Sequence, residues 1–500
     1  MQTLSLANSL ADAPSPARNL LVLYADQSIY TSTVREHLES FRRYSAHQCY
    51  YANAVSGASC GLDLEVFDAV VLHYSASLYV AGYLSGSFRA ALRRYTGTKV
   101  LFVQDEYDNT EEIRRGIVDL GIGLVFTCVP DRYIAAVYPP ARFPGVRFVS
   151  NLTGYVPAAY EGLRVRRPIA GRRWAIGYRG RPLHYKYGLL GRDKVVIGQR
   201  MRAICEQRGI PVDIGWREEE RIYWQDWYRF VADCKTTLGT ESGSNVFDDH
   251  GEIRAAIDRE LAARPDAGFD EIHAKFLARH EGAVARMNQV SPRIFEAIAL
   301  GTALVLFEGE YSSVVQPWEH YIPLRRDFSN VDEVLAAIAD DTRLQAMADR
   351  AYRDVIEPGT FGYRAFVRRF EDALEACAGP PRAYRVFATV VAAQPVDTRW
   401  TLGQVPQEVT DAELLRHIRG PLKVFAPDKT LTNTATSMPM FYMDRHAIYC
   451  ANTTAAERIA HQLGLGAWAR FAIALVLPVW RLVPKGARAG MRNALFRLRG

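Results

Sequence analysis

The chain runs to 500 residues, 49% hydrophobic and 23% charged, with a formal net charge of +6. That length excludes a single ordinary core, and the composition is that of a soluble globular protein, so two or three domains are expected. Residues 470 to 500 hold seven basic residues and no acidic one, which outweighs the whole net charge. The body is therefore no general binder of nucleic acid, and only its end is basic. Seven cysteines lie at 49, 60, 128, 205, 234, 377 and 450, an odd number without the close spacing of a zinc knuckle or redox motif. That usage points to reduced thiols in a cytoplasmic setting. Residues 1–18 show no basic run ahead of an apolar block and read as a flexible tail, not a signal peptide.

In chain order, NLLVLYA (19–25) reads as a buried strand, followed by a helix over 32–43. FDAVVLHY (67–74) is a second strand, 88–95 a helix, and TKVLFVQ (98–104) a third strand. A helix over 111–120 and strands at 123–128 and 146–150 follow. Strands apolar throughout and separated by helices predict a parallel sheet with helices on both faces. The composition shifts at RVRRPIAGRRW (164–174), where a domain junction is placed. A second series follows: strand 175–178, helix 194–208, strand 212–215, helix 224–233 and strand 235–239. A charged, mostly helical insertion occupies 248–287. Then come a helix from Ser291, a strand over 303–307, a helix over 331–340 and a helix over 361–376. The fold class is α/β, with two doubly wound Rossmann-like domains, 19–165 and 166–360. Helix 361–379, an extension over 380–450 and a basic end over 451–500 follow. Ligands of such sheets sit outside the carboxyl ends of the strands, so the cleft between the domains is the default site.

Three stretches carry chemistry. IGYRGRPLHYKYGLLGRDK (176–194) is Gly-rich and basic. From 164 to 202 there are twelve basic residues and one acidic, Asp193. Glycines let the backbone approach a ligand and basic side chains neutralise phosphate, so Arg179, Gly180, Arg181 and Lys186 are candidate phosphate contacts. No GxxxxGK[ST] is present and no GxGxxG follows the first strand, against triphosphate hydrolysis and nicotinamide binding. KTTLGTESGSNVFDD (235–249) ends a strand in small residues, with Glu241, Ser242 and Gly243 either exposing N–H groups to an anion or making a plain turn. In SPRIFEAIALGTALVLFEGEY (291–311), Ser291 is a good N-cap and Pro292 suits the first helical position. A diphosphate at that helix start would meet free N–H groups and Arg293, and Glu296 one turn on would accept hydrogen bonds from a ribose diol. The alternative is an i,i+3 ion pair between Arg293 and Glu296.

That stretch, with WEHYIPLRRDFSNVDEVLAAIADD (318–341), resembles the donor-binding half of glycosyl transferases group 1. It is most similar to their CgeB-like branch, in which R-x-F-E-A-x-A-x-G precedes a strand. The resemblance covers roughly 174–376. It implies the GT-B fold, a nucleotide-sugar donor as co-substrate and no separate cofactor. It also implies that Glu296 matches the ribose-binding carboxylate, and that Arg179 and Gly180 match the loop meeting the diphosphate. By the same likeness, 19–165 is the acceptor domain, 166–360 the donor domain, and 361–379 the helix crossing back. Many relatives pair Glu-x7-Glu, but Asn288 stands eight before Glu296, so the acid that usually touches the sugar is missing. No Asp-x-Asp occurs in the chain, which fits a metal-independent reaction in which basic side chains neutralise the leaving diphosphate.

On the acceptor side, His73, Asp105 and Glu106 are candidate catalytic bases, with Gln104 and Asp108 beside them. At the end of the chain, the apolar run 471–480 is about half a bilayer span, flanked by Trp468 and Trp480 with basic residues beyond. Residues 467–500 thus read as an amphipathic segment on an anionic membrane, which would place the protein on the inner face of the cell membrane. The expected activity is transfer of a sugar to a glycan or lipid-linked acceptor in surface polysaccharide biosynthesis, with no nucleic-acid partner. A catalytically silent nucleotide-sugar-binding subunit and a nucleotide-sugar epimerase remain open at this level.

Overall fold

The computed structural model describes residues 18–380 apart from 26–27, 29–31, 56–59, 61–63, 158–159, 161–166 and 223, together with 425–433 and 438–443. The expected basic segment 467–500 lies outside the described residues, as does most of the 380–450 extension.

The first domain contains β1 (Asn19–Tyr24), α1 (Ser32–Tyr44), β2 (Gln48–Asn53), β3 (Ala69–Leu72), α2 (Gly86–Arg94), β4 (Thr98–Phe102), α3 (Thr110–Leu120), β5 (Leu124–Thr127), α4 (Asp131–Val137) and β6 (Arg147–Ser150). Its sheet has the order β2-β1-β3-β4-β5-β6, parallel throughout. β1 is buried at all six positions, because a parallel strand covered on both faces needs an apolar run and not an alternating one. α3 stops at Gly121, whose φ of 64° is the left-handed value that lets its N–H reach back to Ile117 and Val118.

The second domain contains β7 (Trp174–Arg179), α5 (Gly188–Gln207), β8 (Val212–Gly215), α6 (Trp224–Ala232), β9 (Cys234–Gly239), α7 (Glu252–Ala263), α8 (Phe269–Ile272), α9 (Pro292–Ala299), β10 (Ala303–Phe307), β11 (Tyr321–Leu324), α10 (Val331–Ala339) and α11 (Asp341–Ala351). Its five strands lie in the order β11-β10-β9-β7-β8, again parallel. Two Rossmann-like domains facing each other make the GT-B architecture. β12 (Phe425–Asn433) and β13 (Met438–Met443) form an antiparallel pair.

Sequence periodicity does not reveal β2 and β11. Both are edge strands. β2 carries polar ends, and β11 holds Pro323, which an edge tolerates because one side of its backbone needs no ladder donor. α5 also starts at Gly188, six residues before the expected position.

Two connections fix the domains relative to one another. α12 (Tyr363–Glu375) returns to the first domain and buries Tyr363, Phe366, Val367, Phe370 and Leu374 against β1, β3, β4 and α1. The segment leaving β9 does the same elsewhere, with Phe247, Ala285 and Met287 completing the first domain's other core. Asp248 pairs with the Tyr107–Asn109 backbone through Asp248 N–H to Tyr107 O at 2.9 Å and Asn109 N–H to Asp248 O at 2.8 Å.

Candidate active site

A cavity of about 220 Å³ opens at the carboxyl ends of β7 and β9. These neighbouring strands run to opposite sides of the sheet order, so the cavity occupies the topological switch point where doubly wound folds bind ligands. Its walls come from the Gly180–Leu183 loop, Lys194 of α5, Trp227 of α6, Thr240 after β9 and the start of α9.

Three basic side chains line it: Arg181, Lys194 and Arg293. Among the described residues none of the three forms an ion pair with a carboxylate. Lys194 Nζ donates to the carbonyl of Glu241 at 3.2 Å and to Ser242 Oγ at 3.3 Å. Burial pushes its pKa down to about 8, and the positive charge of Arg293 adds to the fall. The guanidinium of Arg293 lies 4.9 Å from the Trp227 ring centroid and donates to the carbonyl of Arg179. Burial first, and then the neighbouring guanidinium, disfavour the charge on Lys194, and the three basic side chains together make the hollow electropositive.

α9 begins at this hollow. Ser291 holds extended backbone (φ −89°, ψ 142°) at the N-cap, Pro292 takes the first position, and the Ser291 side chain makes no capping bond. Pro292 has no N–H and the Ile294 N–H bonds the Ser291 carbonyl at 3.0 Å, so the Arg293 N–H is the donor left at the helix start, and Ser291 lines the cavity. Gly180 is required nearby, since a Cβ there would sit 2.6 Å from the carbonyl of Lys194.

Glu296 is buried, and its Oε2 accepts from Trp227 Nε1 at 2.7 Å. It adjoins the cavity through Trp227, Arg293 and Ala297 but does not line it. Burial raises its pKa, with Trp227 and Arg293 opposing. Across the domain interface, Glu36 of α1 is pushed up to about 7, by burial first and then by Glu296.

Other sequence candidates fall elsewhere. The Arg179 guanidinium points away from the hollow. It donates to the carbonyls of Glu220, Tyr178 and Asp213 at 2.8, 2.9 and 3.0 Å and pairs with the Asp213 carboxylate at 2.8 Å, so it braces β7 against β8. Lys186 spans the interface to the Asp108 carboxylate. Glu241 is buried, and its carboxylate accepts from Glu310 N–H at 2.6 Å and Asn288 Nδ2 at 3.0 Å, which props the loop ahead of α9. The Ser242 N–H is spent on Gln289 O at 2.8 Å. Gly243, at φ 98°, would press a Cβ to 2.8 Å from Met287, so it serves chain packing.

In the first domain, His73 is fully buried, with Nε2 3.0 Å from His37 Nδ1 and Nδ1 2.9 Å from Ser75 Oγ. Burial holds its pKa well below the ordinary value, and it lacks the access a base needs. Glu106 is equally sealed. Its Oε1 accepts from the Thr127 hydroxyl and from Cys128 N–H at 2.8 Å, and burial lifts its pKa to about 8. Asp105 alone of these three faces the cleft. It is exposed and accepts from the Tyr107 hydroxyl at 2.6 Å, and partial desolvation by its neighbours raises its pKa.

Lys194 and Trp227 escape the sequence reading. Lys194 belongs to the basic stretch, but only a helix beginning at Gly188 turns it towards the hollow. Among the described residues, no group of three or more His, Cys, Asp or Glu has the spacing of a metal site, and no helix is long and apolar enough to cross a membrane.

No family model and no curated protein matches the chain. Among solved structures, an alpha-glucosyltransferase in complex with UDP-glucose and DNA containing an abasic site is similar over 72% of this chain and 100% of that chain, at 10% identity and a TM-score of 0.44. T4 phage BGT in complex with its UDP-glucose substrate is similar over 72% and 98%, at 13% identity and a TM-score of 0.41. Anabaena HepE in complex with UDP is similar over 72% and 100%, at 11% identity and a TM-score of 0.39.

Proposed function

We propose that the chain is a glycosyltransferase that takes a sugar from a nucleoside diphosphate sugar and passes it to a hydroxyl of a glycan or lipid-linked acceptor, in surface polysaccharide biosynthesis. The observation that carries this reading is the hollow where Arg181, Lys194 and Arg293, with no carboxylate ion pair among the described residues, meet the start of α9. A diphosphate matches that charge and those donors, and a leaving diphosphate gains negative charge as the glycosidic bond breaks. The basic groups neutralise it without a metal ion. Glu296 holds the ribose, with its remaining oxygen free of Trp227. The R-x-F-E-A sequence at 293–297 favours the CgeB-like branch.

A second reading, a nucleotide-sugar-binding subunit without turnover, is favoured by Asn288. Its amide is tied to Asn245 and Glu241 at 3.0 Å each and offers no carboxylate to the sugar. One experiment separates the two. The full chain is titrated calorimetrically with nucleoside diphosphates and then incubated with a panel of labelled donors in the presence of EDTA. Binding with transfer or slow donor hydrolysis is expected. Binding without turnover selects the silent subunit, isomerised donor selects an epimerase, and no binding by any diphosphate discards the proposal.

A further inference from the structure

One buried carboxylate organises the loops that follow β9 and β10. Glu241, after β9, accepts from Glu310 N–H at 2.6 Å, from Tyr311 N–H at 3.4 Å and from Asn288 Nδ2 at 3.0 Å. Its own carbonyl accepts from Lys194 Nζ, on the wall of the cationic hollow, at 3.2 Å. Gly309 lets the loop after β10 lie on this carboxylate, since a Cβ there would sit 2.4 Å from Glu241 Cδ. Glu310 is therefore held beside the hollow, and its main chain and the Asn288 amide share one anchor.

The turn that carries Glu310 is strained. Tyr311, Ser312 and Ser313 take φ values of 46°, 52° and 59°, three left-handed residues in a row with no glycine among them. Such backbone persists only where its surroundings hold it. Here Tyr311 is buried, with its hydroxyl on Phe307 O at 2.6 Å. The Ser312 hydroxyl donates to Gln289 Oε1 at 3.0 Å and accepts from Val290 N–H at 3.0 Å. The turn leaves the Glu310 side chain exposed and ion-paired across the cleft with Arg132 of α4, which is exposed as well. An exposed pair adds little to stability, so it does not account for the strain. Glu308, two residues earlier, is paired at 4.0 Å with Arg325 of its own domain.

We propose that Glu310 is the residue that selects the donor's sugar, accepting hydrogen bonds from its hydroxyls, and that Arg132 latches this carboxylate until a donor displaces it. The inference rests on the nucleotide-sugar reading and supplies the carboxylate that Asn288 does not. With the diphosphate in the hollow, the sugar attached to it extends past Lys194 towards the loop that Glu241 holds. Binding exchanges one contact for another: Glu310 gives up the Arg132 guanidinium for hydroxyl donors, and Arg132 turns to solvent. Both carboxylate oxygens accept, which suits a sugar with neighbouring free hydroxyls. The strained turn fixes the backbone from which Glu310 reaches across, so the exchange needs only a side-chain movement.

The test titrates the full chain calorimetrically with UDP and GDP and with UDP-glucose, UDP-galactose, UDP-N-acetylglucosamine and GDP-mannose. Glu310→Gln is expected to lower affinity for the bound nucleoside diphosphate sugar about tenfold and to leave affinity for the matching diphosphate within about twofold. Arg132→Ala is expected to raise sugar-donor affinity about threefold, the worth of an exposed ion pair, and the double variant should lose that gain. Glu308→Gln should bind both ligands as wild type does. A Glu310→Gln variant that loses both ligands alike, or neither, overturns the sugar contact and leaves the diphosphate reading standing. So does wild type that binds a diphosphate but none of the sugar donors. An Arg132→Ala variant with unchanged or lower sugar-donor affinity overturns the latch. Wild type that binds none of these ligands removes the donor reading itself.

Discussion

The indole Nε1 of Trp227 on α6 donates to Oε2 of Glu296 on α9 at 2.7 Å, so one buried carboxylate joins two helices beside the cationic hollow. Glu296→Ala leaves Trp227 without its acceptor and, on the proposed reading, removes the ribose contact. Nucleoside diphosphate affinity is expected to fall about tenfold, about 1.4 kcal/mol. Loss of the buried bond is expected to cost a further 1–3 kcal/mol, roughly, of stability. Glu296→Gln should recover most of the stability. Calorimetric affinity and thermal melts check both, and unchanged affinity in a folded Ala variant ends the ribose role.

Glu36 supplies a pH test of the same corner. Its folded pKa is about 7 against an ordinary 4.5. Between those values the native state keeps a proton that the unfolded chain has released, so stability falls as pH rises from 4.5 to 7. Glu36→Gln should flatten that slope in denaturant titrations run across the window.

On the proposed reading, Lys194 makes diphosphate binding depend on pH from the other side. With its pKa near 8, it is charged below that pH and neutral above. Diphosphate affinity is therefore expected to decline as pH rises through 8, and Lys194→Arg should move the decline upward because a guanidinium stays charged. Lys194→Met should lower affinity tenfold or more at pH 7. A flat wild-type profile between pH 7 and 9.5 would contradict the assignment.

Arg179 is expected to behave as a brace. Its four backbone and side-chain contacts, and its place 4.4 Å over the Phe230 ring, are lost in Arg179→Ala. The variant should lose about 1–3 kcal/mol in a urea titration, since the pair is only partly buried and the loss is mainly that of charged hydrogen bonds. The folded fraction should bind diphosphate within about threefold of wild type.

Deleting 467–500 should move the protein from membrane to supernatant fractions on ultracentrifugation of lysates. Full-length protein that already stays in the supernatant at low salt would dismiss the anchoring role.

Much of the architecture is legible in the sequence, because parallel strands buried on both faces leave unbroken apolar runs such as Leu20–Leu23 and Ala303–Phe307. β2 and β11 escape because an edge strand answers to solvent on one side. The helix start at Ser291 is equally plain, since Ser and Pro each suit one position there. What a single sequence withholds is direction. Arg179 and Arg181 stand two apart in one basic loop, yet one turns into the sheet edge and the other into the hollow. His73 and Asp105 both end first-domain strands, but His73 meets His37 inside the core while Asp105 meets the cleft. Lys194 shows how a helix boundary moved by six residues changes which cation matters.

Phe247, Ala285 and Met287 have a consequence for protein engineering. Two-domain proteins invite recombination, with one half cut at the interdomain linker and grafted onto another. Here such a cut near residue 165 would strip three apolar plugs from the half left behind, because they arrive from beyond β9. A working chimera would have to carry residues 245–287 and α12 with the first domain or rebuild its vacated cores, so the natural seam for exchange is not where the chain changes domain.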